Sequence, residues 1–113
     1  NIAGYLNTKR GATGTEVYTS PGQTRSDVIA TEIIEELKIA FPNVVFREDT
    51  KDGDPDKESS FYILTRTDCP AVLIEWMFMT TRNPDCLLIA SDSARAAYTT
   101  AIANALVNYN KSL

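Results

Sequence analysis

The sequence predicts a layered α/β domain, a small mixed or parallel sheet with helices on its faces. Three observations carry this. Residues 70–75 form a continuous apolar run, Pro70-Ala71-Val72-Leu73-Ile74, closed by Glu75, the pattern of a strand in the middle of a sheet covered on both faces. Residues 14–20 hold the β-branched and aromatic residues of a second strand. Two longer stretches, 24–41 and 91–109, repeat apolar residues at helical spacing. Strands alternating with helices of this kind build layered α/β folds.

Taken in order, residues 1–13 hold Gly4, Asn7 and Gly11 with little periodicity and read as a loop. The strand at 14–20 is ended by Pro21-Gly22. Thr24 or Ser26 caps the first helix, with Asp27 in its first turn. Val28, Ile29, Ile33, Ile34, Leu37, Ala40 and Phe41 mark its apolar face, and Pro42 closes it. Residues 44–47 form a short extended segment. Residues 48–58 are polar throughout and read as a surface loop. Phe61-Tyr62-Ile63-Leu64 is apolar but too short to separate a strand from one helical turn. Beyond Phe78, Asn83-Pro84-Asp85 reads as a helix start with a cap and a first-turn proline. Ser91 or Asp92 opens the last helix. Its face is Ala94, Ala97, Tyr98, Ala101, Ile102, Ala105, Leu106 and Tyr109, and the alanines imply close packing.

With 113 residues the chain holds one small domain, residues 1–113, with no repeat or linker to divide it. Its 43% apolar and 23% charged residues are ordinary for a globular protein. A net charge of -4 argues against binding nucleic acid through its phosphates. No apolar run reaches the roughly 20 residues of a membrane span. Cys69 and Cys86 form no Cys-x-x-Cys pair and read as two buried free thiols rather than a disulfide. The chain has no histidine, which removes Ser-His-Asp and Cys-His catalysis and the commonest zinc ligand.

Several motifs invite chemistry. Asp49, Asp52, Asp54, Asp56 and Glu58 alternate along the acidic loop, but Asp52-Gly53-Asp54-Pro55 breaks the order of an EF-hand, so a solvated loop is the reading. Asn110-Lys111-Ser112 matches a glycosylation acceptor, a triplet common by chance. Gly11-Ala12-Thr13-Gly14 is too sparse to cradle phosphate. Trp76, Phe78 and Met79 either line a ligand groove or pack in the core, with core packing favoured for at least two of them. Glu75 stands where a buried strand ends. It is either a catalytic acid or the partner of Arg66, Arg47, Lys57 or a cluster of backbone N–H groups.

The order of these motifs resembles the C-terminal part of the zinc-dependent N-acetylmuramoyl-L-alanine amidases. Gly14-Thr15-Glu16-Val17-Tyr18 is similar to the family's Gly-x-Glu-Val-Tyr strand, and Lys57-Glu58-Ser59-Ser60-Phe61 to its Lys-x-Ala-x-Phe segment. Phe61-Tyr62-Ile63-Leu64, then Pro70-Ala71-Val72-Leu73-Ile74-Glu75, Phe78 and Asn83-Pro84 follow in the family's order. Asn1 resembles the Asn of its Ser-x-His-x-Asn strand end. Two departures stand out. Thr65 replaces an arginine, with Arg66 one place later, and Trp76-Met77 replaces a residue followed by glycine.

The resemblance implies a larger amidase domain of which this chain is the C-terminal part. It implies a peptidoglycan hydrolase in which Glu75 is the general base for a zinc-activated water, acting on the amide between N-acetylmuramic acid and L-alanine. The zinc ligands, two histidines and a glutamate, would belong to the N-terminal half, so no zinc is expected on this chain and the isolated chain is expected to be inactive. Trp76, Arg66 and Lys57 are the candidates for substrate contact. An extracytoplasmic location, in the cell wall or periplasm or as a phage lysin, follows from the same resemblance. Loss of neighbouring strands would expose a sheet edge, so a homodimer is also expected. The alternative function is a non-catalytic module that binds cell-wall peptide or a protein partner through the groove beside Glu75 and Trp76.

Overall fold

The computed structural model of the chain describes residues 12–79 and 84–113. The elements are β1 (Glu16–Thr19), α1 (Arg25–Ala40), β2 (Lys57–Glu58), α2 (Tyr62–Thr65), β3 (Leu73–Glu75), α3 (Asp85–Ala90) and α4 (Asp92–Ser112). Most of the predicted loop at 1–13, together with Asn1 and Asn83, lies outside the described residues.

The sheet is mixed, in the order β2-β1-β3. β2 runs parallel to β1, with Tyr18 opposite Lys57 and Thr19 opposite Glu58. β3 runs antiparallel, pairing Glu16 with Glu75, Val17 with Ile74 and Tyr18 with Leu73. Residues 44–47 are extended as expected and add one parallel bridge, Phe46 to Thr15. Gly14 makes that approach possible. Its φ is +104°, and a Cβ there would sit 2.1 Å from the Val45 carbonyl oxygen.

Helix α1 forms where the sequence signals it. Thr24 accepts a hydrogen bond from the Ser26 amide, and Asp27 reaches back to the Thr24 amide, a complete capping box. Ile29, Ala30, Ile33, Ile34 and Leu37 turn inward. α4 starts on Ser91, whose hydroxyl accepts from the Ala94 amide at 3.2 Å. Its Ala101 and Ala105 join Val17 and the α1 residues in one core, flanked by Val72, Ile74, Tyr98, Ile102 and Tyr109. The α1–α4 contact is the most extensive in the molecule.

Several expectations are corrected. Among the described residues the apolar run at 70–75 is not the central strand. It contributes three paired residues at one edge, all half-buried, while β1 lies in the middle. Val72 and Ile74 face the helices, and the intervening positions face away. The acidic loop ends early: Lys57 and Glu58 pair as β2, and Asp56 is buried to 2% exposure. Residues 62–65 settle as a helical turn. Pro84 occupies the N-cap position of α3, without a side-chain cap, rather than its first turn. Val28 and Leu106 are about half exposed, each one position off its helix's buried stripe. Both cysteines are free, but Cys69 is exposed and Cys86 only partly covered.

Candidate functional site

The two faces of the sheet are built for different purposes, and the sequence of β1 decides which is which. Alternation along Glu16-Val17-Tyr18-Thr19 sends Val17 into the core beneath α1 and α4 and sends Glu16 and Tyr18 to the other face. Register does the rest. Glu75 lies opposite Glu16, and Lys57 lies beside Tyr18. Four polar side chains from three strands therefore share the face away from the two long helices.

Glu16 anchors this group. Its carboxylate is 6% exposed and ion-pairs with Lys57 Nζ at 2.5 Å and with Arg47 Nε at 3.6 Å. The Tyr18 hydroxyl donates to it at 3.2 Å. Burial pushes the Glu16 carboxyl upward, but the Lys57 hydrogen bond and charge and the Arg47 charge outweigh that, so it is held below its usual range. Burial and the negative charges of Glu16 and Glu75 raise the Tyr18 hydroxyl. Tyr18 thus stays a neutral donor near both carboxylates. Phe61 closes the rim with an edge-on contact to the Tyr18 ring at 5.3 Å between centroids, and Lys57 Nζ lies 5.8 Å above that ring. Glu75 itself is half-buried at the end of β3.

The segment after Glu75 is fixed from α3. Asp85, 2% exposed, accepts from the Gly14 amide at 2.7 Å, the Phe78 amide at 3.1 Å and the Thr13 hydroxyl at 2.5 Å. One carboxylate therefore ties the start of β1 to the strand end that carries Glu75. The Thr15 hydroxyl adds a bond to the Trp76 carbonyl.

The other candidates are distributed differently. Lys57 belongs to the group around Glu75 but is engaged by Glu16. Trp76 points to the helix side, stacked on Tyr98 at 4.3 Å and 6.3 Å from Phe41. Arg66 is the exposed C-cap residue of α2, and its side chain has no partner among the described residues. Met77 and Phe78 are buried, and Met79 is exposed. An apolar concavity between the end of α1 and α3, lined by Phe41, Pro42, Val45, Leu87 and Leu88, includes none of Glu16, Tyr18, Lys57 or Glu75.

Glu16, Arg47 and Asp85 carry more of the site than the sequence reading gave them. For Glu16 a partial signal was available: a glutamate in phase with Tyr18 and out of phase with Val17 on one strand. Asp85 gave none beyond its place in a first helical turn.

A zinc centre does not fit the residues of this face. Among the described residues no group of three or more His, Cys, Asp or Glu side chains is placed to hold an ion. Residues 1–11 and 80–83 contain none of those four types, and the chain has no histidine.

The comparisons place this geometry among known folds. The chain resembles the N-acetylmuramoyl-L-alanine amidase AmiC2 of Nostoc punctiforme at 21% identity, with a TM-score of 0.77, over 96% of this chain and 54% of that one. It matches the CwlD amidase of Clostridioides difficile, solved in complex with the GerS lipoprotein, at 20% identity and a TM-score of 0.76, over 99% and 52%. It also matches the amidase Ami1 of Mycobacterium smegmatis at 21% identity and 0.68, over 89% and 48%. The chain spans about half the length of these structures. No curated protein matches the sequence. The N-acetylmuramoyl-L-alanine amidase family model covers residues 5–108, and the chain belongs to that family.

Proposed function

We propose that this chain supplies the general base of a peptidoglycan amidase and that Glu75 is that base. In this reading the carboxylate takes a proton from the water that attacks the amide carbonyl between N-acetylmuramic acid and L-alanine. As the C–N bond breaks it returns the proton to the leaving amine, yielding the muramyl carboxylate and the free amino group. The observation that carries the reading is the position of Glu75. It ends a strand similar to the family's Pro-Ala-Val-Leu-Val-Glu and lies on the face away from the two long helices, opposite an ionised Glu16.

Around Glu75, Tyr18 presents a neutral hydroxyl, and Glu16 with Lys57 and Arg47 forms a rigid charged floor. Arg66, exposed at the end of α2, meets a carboxylate of the stem peptide in this reading. Lys57 acts through the charged floor that it forms with Glu16, while Trp76, packed on the helix side, fixes the strand end that carries Glu75 rather than touching substrate. The family's zinc finds no ligand set here, so any such ion is held by residues other than these. The isolated chain is therefore inactive. Its place of action is the cell wall, outside the cytoplasm. Among the described residues no helix is long and apolar enough to cross a membrane.

The test is Glu75→Gln in the amidase reconstituted with the segment that carries the zinc ligands, with muropeptide products followed by mass spectrometry. Loss of a general base predicts a fall of about 10²–10⁴-fold in turnover with the fold retained. An unchanged rate would assign this chain to binding alone.

A further inference from the structure

The acidic loop holds a feature that neither the amidase reading nor the EF-hand pattern explains. Asp56, 2% exposed, sits one residue before β2 and accepts from the Thr19 hydroxyl at 2.6 Å through Oδ2. Its Oδ1 is buried and has no hydrogen-bond partner. Asp54 is half-buried beside it. Its Oδ2 accepts from Gln23 Nε2 at 3.1 Å, and its Oδ1 is buried without a donor. The two carboxyl groups lie within hydrogen-bonding reach of each other, and Asp27 adds negative charge from α1. The adjoining cleft against α1 is lined by Asp27, Glu32, Glu35, Asp52 and Asp54, and no lysine or arginine lines it.

Two carboxyl groups this close, each with a shielded oxygen that has no donor, need a cation or a shared proton between them. Burial, opposed by the Thr19 hydrogen bond and reinforced by Asp54, pushes the Asp56 carboxyl up to about 7, which expresses the same conflict. The surrounding cleft concentrates small cations rather than anions, and the unfilled ligands are hard oxygens, suited to calcium or magnesium.

We propose that Asp54 and Asp56 bind a divalent cation of the calcium type, which clasps the acidic loop against β1 and the start of α1. No third acidic side chain completes the set, so waters and backbone carbonyls fill the remaining positions and the affinity is weak, on the order of 10⁻⁴–10⁻³ M. The clasp has a consequence for the polar face. Asp56 directly precedes Lys57, so a held loop delivers Lys57 in register to Glu16.

The experiment is thermal unfolding of the protein, freed of divalent cations by a chelator that is then removed, titrated with CaCl2 and compared with NaCl at equal ionic strength. The expected result is a saturable rise in Tm, about 5 °C at ten times Kd. Asp56→Asn retains an acceptor for Thr19 and gains a donor toward Asp54, so it folds. Its Tm is expected to be at least that of the wild type in the absence of calcium and to ignore CaCl2. Asp52→Asn, which removes a cleft charge outside the pair, keeps the response. Equal Tm in CaCl2 and NaCl would overturn the proposal and leave a shared proton as the pair's neutraliser. A retained response in Asp56→Asn would overturn it as well.

Discussion

Replacing Asp85 tests whether one buried carboxylate holds the polar face together. In Asp85→Ala the Gly14 and Phe78 amides, both buried, lose their acceptor, and the Thr13 hydroxyl must turn elsewhere. Each orphaned buried amide costs about 1–3 kcal/mol, and bonds to an ionised acceptor lie at the upper end. The expected loss is therefore about 3–5 kcal/mol, a large share of the 5–15 kcal/mol typical of a domain. Asp85→Asn keeps one carbonyl oxygen, which can serve both amides, and its NH2 can face the Thr13 hydroxyl. It should lose only about 1–2 kcal/mol. Urea unfolding followed by fluorescence of Trp76, the single tryptophan, measures both. A loss below about 1 kcal/mol for alanine, or equal losses for the two variants, would refute the argument.

Two further outcomes follow from the geometry. Glu16 is held below its usual range, so its ion pairs stabilise the fold above the unfolded value of 4.5 and that stability is lost as pH falls through the lower folded value. Glu16→Gln should then be clearly less stable than wild type at neutral pH, and the gap in urea midpoint should narrow in acid; a gap constant with pH would sink this. Gly14→Ala must place a Cβ against the Val45 carbonyl at a positive φ, with an expected cost above about 3 kcal/mol. A wild-type melting temperature for that variant would contradict the close approach.

The sequence reading succeeded where the information is local. The Thr24–Asp27 cap, the α1 stripe and the Ala101/Ala105 seam depend on neighbours three or four residues away, and the structure has the cap, the seam and the stripe except at Val28 and Ala40, which are exposed. It failed where pairing is long-range. The run Ala71-Val72-Leu73-Ile74 reads as a doubly covered strand, yet which strand is central depends on β1 pairing with partners about 40 and 60 residues away. Lys57 and Glu58 look like loop because their charges are satisfied across the sheet rather than along the chain: Lys57 by Glu16, and Glu58 by the Gly22 amide at 2.8 Å. The candidate site was half legible. Glu75 came from its place at a strand end and the surrounding wording. The charged floor beneath it came only with the register.

That register has an unexpected guardian. β3 pairs over only three residues, and a slip of one position would turn Glu75 into the helices and Trp76 outward. The stack of Trp76 on Tyr98 makes that slip expensive, because an indole would have to leave an aromatic neighbour while a carboxylate took its place. Trp76 is a bulky peg driven into the helical layer, and it works as an alignment key. It lets a very short strand present its acid to one side only.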